Sequence, residues 1–137
     1  MIQVEQVTGP EANHGEGPVW GHWGPDDTGL RYVDMLEGDI LALDRESGRV
    51  TRSKVGKVAA AFRPREGGGM VVALERHFAL VSPAGEIRVL DEVWSDPGIR
   101  FNDGATDPDG RFYCGTMAYD TTPGAGSMYL LDVDGTH

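Results

Sequence analysis

The stretch Asp107-Pro108-Asp109-Gly110-Arg111-Phe112 is a tight turn that leads directly into an apolar segment, and its pattern occurs twice earlier in the chain. The earlier copies are Pro25-Asp26-Asp27-Thr28-Gly29 and Pro64-Arg65-Glu66-Gly67-Gly68, so the three prolines are spaced 39 and 44 residues apart. Proline fixes φ before the turn, and Gly or Asp tolerates the left-handed conformation that ends it. The repeat therefore predicts three similar units, each beginning with a hairpin.

A second turn type closes the later part of each unit. It occurs at 44–48, 82–85 and 132–135, and each copy follows a short segment containing Leu or Val. The apolar segments run for about four to six residues or alternate with polar residues, which is typical of strands. They predict strands near residues 18–21, 30–34, 40–44, 50–54, 57–62, 70–74, 78–82, 87–90, 101–106, 112–116 and 127–132. No stretch keeps a helical period over three turns, so the predicted fold class is all-β.

A repeat of about 40 residues with about four strands per unit is typical of a β-propeller blade. The predicted order is inner strand, Pro-acid-Gly turn, second strand, third strand, Asp- or Ser-led turn, outer strand. We predict one partial β-propeller domain over 1–137, with blades at about 14–55, 56–91 and 99–137. The third blade lacks its outer strand, and propellers typically need about four to eight blades to close a ring. Three blades therefore predict a half propeller, which either truncation or assembly would explain.

The charge of the chain argues against two classes of partner. There are 12 Lys and Arg against 22 Asp and Glu, giving a formal net charge of −10. Nucleic acids and anionic membranes need clustered basic side chains, so neither is expected to bind. The N-terminus has no secretory signal pattern, and no apolar run is long enough for a membrane span. With a single Cys114, expected to be buried and inert, these features predict a cytoplasmic protein.

Several common catalytic and metal-binding motifs are absent from the sequence. It contains no Gly-x-Ser-x-Gly and no His-Glu-x-x-His, and its four histidines lack zinc-ligand spacing. The acidic turn at 107–110 begins like a calcium loop, but Arg111 and Ala118 stand where an EF-hand needs oxygen ligands. A serine hydrolase of the nucleophile-elbow type, a zinc protease and an EF-hand are therefore not expected.

Two polar segments lie where the inner strands of the first and third blades begin. In the segment 14–20, glycines flank Glu16 and allow a ligand to approach closely; an exposed loop glutamate is the alternative interpretation. In the segment 99–107, Arg100, Asn102 and Asp103 would face an axial tunnel, where burial is costly unless they are paired or bind a ligand. The alternative there is an Asn-Asp-Gly hairpin turn, but the Pro-Asp-Gly turn downstream already provides the hairpin.

The sequence resembles the regucalcin (senescence marker protein)/gluconolactonase/luciferin-regenerating enzyme family along nearly its whole length. The resemblance lies in Glu16-Gly17-Pro18-Val19-Trp20, in Tyr32-Val33-Asp34 and in the glycine-rich stretch 67–74. It is most specific in Arg100-Phe101-Asn102-Asp103-Gly104, with Asp107-Pro108-x-Gly110-Arg111-Phe112 and Gly115-Thr116-Met117 after it. It implies a six-bladed propeller that binds one divalent metal in its central channel and hydrolyses sugar lactones.

The resemblance also implies roles for four residues. Glu16 matches the metal-ligating carboxylate of the family's Glu-Gly-Pro motif, and Arg100 and Asn102 match a pair that contacts substrate oxygens. Asp120 occupies the place of an acidic residue that contacts substrate in some members. The family's other metal ligands, an Asn and an Asp that is also the catalytic base, lie beyond position 137, so this chain holds no catalytic residue. The implied cofactor is one divalent cation, calcium or zinc first, with magnesium or manganese as alternatives.

We therefore expect the N-terminal half of a metal-dependent sugar lactonase, whose partner is a small sugar lactone. The alternative is a non-catalytic propeller fragment that binds a ligand or a partner protein through its channel face. Two half rings would make six blades, so a homodimer is also expected, with the strand-like segment 2–7 of each copy completing the third blade of the other. A truncated chain that associates less regularly is the alternative to that dimer.

Overall fold

Three antiparallel sheets form the part of the chain that the structure describes. The structure is a computed structural model, and it describes residues 1–134. The first sheet holds β1 (Gly15–Gly24), β2 (Asp27–Asp34), β3 (Asp39–Leu43) and β4 (Val50–Lys54). The second holds β5 (Ala61–Pro64), β6 (Met70–Ala73), β7 (His77–Val81) and β8 (Ile87–Glu92). The third holds β9 (Ile99–Thr106), β10 (Phe112–Ala118) and β11 (Met128–Leu131).

The two turn types lie where the sequence predicts them. Pro-acid-Gly turns join the first two strands of every sheet, and Asp- or Ser-led turns join the third and fourth strands of the first two sheets. Gly85 and Gly110 adopt the expected left-handed conformation, with φ of 86° and 84°. In the first turn Asp26 takes this conformation instead, with φ of 58°, since aspartate tolerates it better than most residues. The turn predicted at 132–135 lies partly outside the described residues, because it includes Gly135.

The strand predicted at 57–62 is wrong over most of its length. Residues 57–60 belong to no strand, and β5 begins only at Ala61. The backbone N–H of Ala59 donates to the carbonyl of Met35 in the first sheet at 3.0 Å, whereas that of Ala60 donates to Ala73 in the second sheet at 2.8 Å. The segment crosses from an outer strand to the next inner strand. Its apolar side chains are therefore buried between two sheets, although the segment is not itself a strand of either sheet.

Two further segments differ from a simple strand pattern. Residues 2–7, which alternate like a strand in sequence, form no strand, and Ile2 and Val4 are exposed. A short 3₁₀ turn, Met35–Glu37, links β2 to β3 and ends at Gly38, whose φ is 69°. A side chain at Gly38 would collide with the backbone of Gly56, so this position needs glycine on both grounds. Within residues 1–134, no helix is long and apolar enough to cross a membrane.

Aromatic side chains pack the sheets together. Trp23 of the first sheet lies 5.5 Å from Phe62 of the second, measured between ring centroids. Phe78 of the second sheet contacts Phe101 at 4.7 Å and Phe112 at 5.9 Å, both in the third sheet. Pairs at these centroid separations stabilise a core beyond the area that they bury. The inter-sheet cores thus fix the inner strands β1, β5 and β9 beside one another.

Candidate functional site

Hydrogen bonds gather the beginnings of the three inner strands at one rim. The backbone N–H of Met35 donates to the carbonyl of His14 just before β1, and the carbonyl of Met35 accepts from Ala59 just before β5, both at 3.0 Å. The backbone N–H of Phe101 in β9 donates to the carbonyl of Glu75 in the β6–β7 loop at 2.9 Å. We call this region the site rim; it comprises residues 13–16, 35–38, 57–60, 74–76, 98–102 and 117–120.

Arg100 is buried at the site rim, with 6% of its surface exposed. Its Nη1 lies 3.1 Å from Sδ of Met35, 2.9 Å from the carbonyl oxygen of Phe101 and 3.4 Å from Oδ1 of Asn102. Its Nη2 lies 3.4 Å from Sδ of Met117, and its buried Nε has no hydrogen-bond acceptor among the described residues. Thioether sulfurs are weak acceptors. The guanidinium is therefore a buried cation that the protein itself satisfies only in part.

The structure brings Arg100 and Asn102 together, with Nη1 of Arg100 3.4 Å from Oδ1 of Asn102. Residues 102–104 lie inside β9, so the hairpin alternative for this segment is wrong. A register irregularity sets Asn102 and Asp103 opposite a single residue of β10, Gly115. Asp103 is exposed, and its Oδ1 accepts a hydrogen bond from the backbone N–H of Gly104 at 2.7 Å. Among the described residues no hydrogen bond joins Asp103 to Arg100 or Asn102, so the expectation that all three side chains share one tunnel stays a prediction for Asp103.

Glu16 lies on β1 rather than in a loop, paired with Val33 of β2. Its side chain is exposed, and its Oε1 lies 2.7 Å from Nε2 of His14. Within residues 1–134, no hydrogen bond joins Glu16 to Arg100 or Asn102. The metal-binding role of Glu16 therefore stays a prediction.

Buried Asp34 fixes the backbone just before Glu16. It accepts hydrogen bonds from the backbone N–H groups of His14 at 2.9 Å and Asn13 at 3.1 Å, and from Nη1 of Arg52 at 2.9 Å. Burial alone would raise the pKa of Asp34, but the bonds from His14, Arg52 and Asn13 hold that pKa below its ordinary value. An ionised carboxylate thus anchors the entry to β1.

Asp120 lies just after β10 and is exposed. Its Oδ1 accepts hydrogen bonds from Oγ1 of Thr122 at 2.6 Å and from the backbone N–H of Thr122 at 3.0 Å. These bonds lower the pKa of Asp120, so it stays ionised near neutral pH. In the described part of the chain, none of its hydrogen bonds is to Arg100 or Asn102. Its contact with a substrate therefore also stays a prediction.

Sequence reasoning missed two residues beside Arg100. The ring centroid of Tyr119 lies 5.6 Å from Cζ of Arg100, and its hydroxyl donates to Oε1 of Glu75. The carboxylate of Glu75 also lies 2.6 Å from Nζ of Lys57. Tyr119 comes two residues after the Gly-Thr-Met motif, which was a usable signal, whereas nothing near Glu75 in sequence distinguishes it from a surface carboxylate.

Cys114 is buried, as the sequence predicts. Burial raises the pKa of its thiol to about 12. Since the thiolate is the reactive form, this residue is no nucleophile at neutral pH.

Comparisons with known proteins agree with the fold. The family described as SMP-30/Gluconolactonase/LRE-like region matches residues 14–137. Regucalcin of Danio rerio is 33% identical over 137 residues, which cover 99% of this chain and 45% of that protein. A pentonolactonase of Haloferax volcanii is 33% identical over 135 residues, which cover 98% of this chain and 44% of that protein. The chain thus spans less than half the length of these two relatives.

The solved structures show the same relationship. A calcium-binding protein, regucalcin, from Agrobacterium tumefaciens superimposes with a TM-score of 0.78 and 29% identity, over 91% of this chain and 42% of that one. The prediction of an all-β, partial propeller of this lactonase type is therefore confirmed. The family match, the identities and the superposition together show that the chain belongs to the SMP-30/gluconolactonase/LRE-like family.

Proposed function

We propose that this chain supplies part of the substrate site of an enzyme that hydrolyses sugar lactones. One observation is central: Arg100 is buried beside Asn102 with no carboxylate paired to it in the described part of the chain. A buried cation without a partner is strongly unfavourable, so such a group is expected to have an oxygen-rich or anionic ligand. The name of the pentonolactonase relative supports a sugar lactone as that ligand.

The chemistry of lactone hydrolysis suits these residues. Water adds to the lactone carbonyl carbon with loss of a proton, and negative charge develops on the carbonyl oxygen. The ring C–O bond then breaks, and the ring oxygen takes up a proton to give the hydroxy acid. The N–H groups of Arg100 would donate hydrogen bonds to lactone oxygens, where a fixed guanidinium stabilises developing charge. The amide of Asn102 can both donate to and accept from sugar hydroxyls, and ionised Asp120 can accept from them. These contacts orient the ring for attack.

The described residues do not by themselves form a complete site for a divalent cation. Calcium takes about six to eight oxygen ligands, and zinc about four ligands. Within residues 1–134, no group of three or more His, Cys, Asp and Glu side chains could hold a metal ion. Glu16, with His14 beside it, is the best match for one contributed ligand, so a complete site would need donors from elsewhere. The hydrogen-bonding roles above do not depend on a metal.

The same incomplete donor set favours a second function, a non-catalytic module that binds a ligand through the site rim. Hydrolysis of D-glucono-1,5-lactone, measured with added calcium, zinc, manganese or magnesium and again after chelation, separates the two. Turnover that chelation abolishes would identify the lactonase. Binding of D-gluconate without any turnover would instead identify the binding module.

Arg100 provides the direct test of the proposed site. Arg100→Met and Asn102→Ala are expected to weaken D-gluconate binding at least about tenfold, the loss of one good charge-assisted hydrogen bond. Arg100→Met should leave the free energy of unfolding unchanged or raise it, since an apolar chain replaces a buried charge. Arg88→Met, at an exposed position of β8, is the matched control. Unchanged gluconate binding in Arg100→Met would refute the proposed site.

We also propose that a second copy of this chain covers the exposed apolar side chains of the first and third sheets. Within residues 1–134, β11 pairs on one side only, and Met128 at its start is 69% exposed. Trp20 on β1 is 60% exposed. Large exposed apolar side chains at both ends favour an interface, and closed dimers are the commonest oligomers.

A further inference from the structure

The guanidinium of Arg100 makes only one hydrogen bond of ordinary length, the 2.9 Å bond from Nη1 to the carbonyl oxygen of Phe101. Two of its contacts are to the sulfurs of Met35 and Met117, and its bond to Asn102 is long at 3.4 Å. An arginine with such partners can reorient unless another group packs against it. Tyr119 is the residue in that place.

Tyr119 is held at four points around Arg100. Its ring centroid is 5.6 Å from Cζ of Arg100, within the range of a cation–π contact. Its backbone N–H donates to the carbonyl of Gly98 at 2.9 Å, immediately before β9. Its hydroxyl donates to Oε1 of Glu75, and its ring lies 5.9 Å from Nζ of Lys57.

Glu75 connects this network to β9 a second time. Its backbone carbonyl accepts a hydrogen bond from the N–H of Phe101 at 2.9 Å. Its carboxylate accepts hydrogen bonds from the Tyr119 hydroxyl and from Nζ of Lys57. One residue of the β6–β7 loop therefore fixes both the strand that bears Arg100 and the ring that lies beside Arg100. The ring of Tyr119 is not a core side chain, since Tyr119 is 41% exposed.

We propose that Tyr119 is a positioning residue, which holds the Arg100 guanidinium toward the ligand through its ring and is itself held by Glu75. The proposal rests on the proposed function for its ligand class, a sugar lactone or its hydroxy acid. Tyr119 acts through Arg100, so its loss should weaken binding without unfolding the protein.

The ionisation states keep this network intact near neutral pH. Burial, together with the bond to Glu75 and the charge of Glu75, raises the pKa of the Tyr119 phenol to about 12. Burial alone would raise the pKa of Glu75, but bonds from Lys57 and Tyr119 hold it below its ordinary value. A protonated phenol and an ionised carboxylate are the forms that make this hydrogen bond.

The experiment compares two changes at Tyr119 in the 137-residue chain. Tyr119→Phe keeps the ring and removes the bond to Glu75, whereas Tyr119→Leu removes both. Tyr113→Phe, in the same strand region but outside the network, is the matched control. The readouts are the KM and kcat for D-glucono-1,5-lactone, the Kd for D-gluconate, and the NMR signal of the Arg100 Nε–H.

We expect Tyr119→Leu to raise KM and the gluconate Kd about tenfold, the size of a desolvated cation–π contact. Tyr119→Phe should raise both about threefold, because a hydrogen bond of ordinary strength is lost. The midpoint of unfolding and the values for Tyr113→Phe should match the wild type. Unchanged KM and Kd in Tyr119→Leu, with binding still lost in Arg100→Met, would overturn the proposal.

The NMR signal separates this proposal from the function on which it rests. If the wild type neither hydrolyses the lactone nor binds gluconate, the proposed function fails, and the Arg100 Nε–H signal alone decides. A signal that is sharp in the wild type and Tyr113→Phe but broadened in Tyr119→Leu supports positioning by Tyr119. An equally sharp signal in Tyr119→Leu overturns it.

Discussion

Nη1 of Arg100 lies 3.1 Å from Sδ of Met35, a residue 65 positions earlier in the chain. This contact joins the third sheet to the first across the beginning of the second sheet. Met35 is fully buried, and its backbone bonds both His14 and Ala59. The residue therefore sets the relative position of the entry to β1, which carries Glu16, and of Arg100.

Two substitutions of Met35 measure how much its packing contributes to the free energy of unfolding. Met35→Leu keeps nearly the same volume, so we expect it to lower the free energy of unfolding by less than about 1.5 kcal/mol. Met35→Ala should lower it by about 2–5 kcal/mol through the cavity that it leaves. Urea unfolding followed by tryptophan fluorescence measures both. Equal stability of the two variants would show that Met35 is not a packing residue of the core.

Asp34 makes stability depend on pH in a defined direction. Its pKa is lowered in the folded chain, so its stabilising contribution is full above the unfolded pKa of about 3.9 and is lost as pH falls through the folded pKa. Asp34→Asn should lower the free energy of unfolding at pH 7 by about 1–3 kcal/mol, since buried donors lose a charged acceptor.

The pH profile checks this assignment. Asp34→Asn should lose less stability than the wild type between pH of about 4 and about 2, whereas Asp91→Asn, at an exposed position of β8, should follow the wild type. Parallel acid profiles for the wild type and Asp34→Asn would contradict the role of Asp34.

With Glu16 as its one contributed carboxylate ligand, the chain alone is predicted to bind a divalent metal ion weakly. One carboxylate cannot hold a divalent ion well, so calorimetric titration with calcium or zinc should give only weak affinity, and Glu16→Gln should reduce it further. Glu46→Gln, in the exposed turn between β3 and β4, is the matched control. Equal affinity in Glu16→Gln and the wild type would remove Glu16 from the site.

The proposed dimer depends on the exposed N-terminal segment and the edge of β11. Light scattering after size exclusion should show a dimer at micromolar concentration for the wild type and a monomer for Val4→Lys or Met128→Lys. Both positions are exposed, so a charge there should not unfold the chain. A wild-type monomer at micromolar concentration would refute the dimer. A dimer that neither lysine disrupts would refute the proposed pairing of the N-terminal segment with β11.

The sequence by itself determined the strands, the turns and their order. Turn residues and apolar alternation are local properties, so the repeat at Pro25, Pro64 and Pro108 predicts the three hairpins without any knowledge of contacts. The spacing of Arg100 and Asn102 on one strand likewise predicts that they lie together, as the structure shows. The apolar pattern of residues 57–60 predicts a strand that the structure does not contain. A local pattern cannot distinguish a buried strand from a buried segment that crosses between two sheets.

Only the tertiary structure decided what surrounds Arg100. Its neighbour Met35 comes from the first sheet, and Met117 and Tyr119 come from the β10 region of the third sheet. Glu75, which holds Tyr119, lies in the β6–β7 loop of the second sheet. No periodicity in sequence relates these positions, because their proximity depends on how the inner strands pack across the aromatic cores. The bulge that sets Asn102 and Asp103 opposite Gly115 is also a product of pairing with β10. The chemistry of single residues is thus local information, whereas their mutual geometry follows from long-range packing.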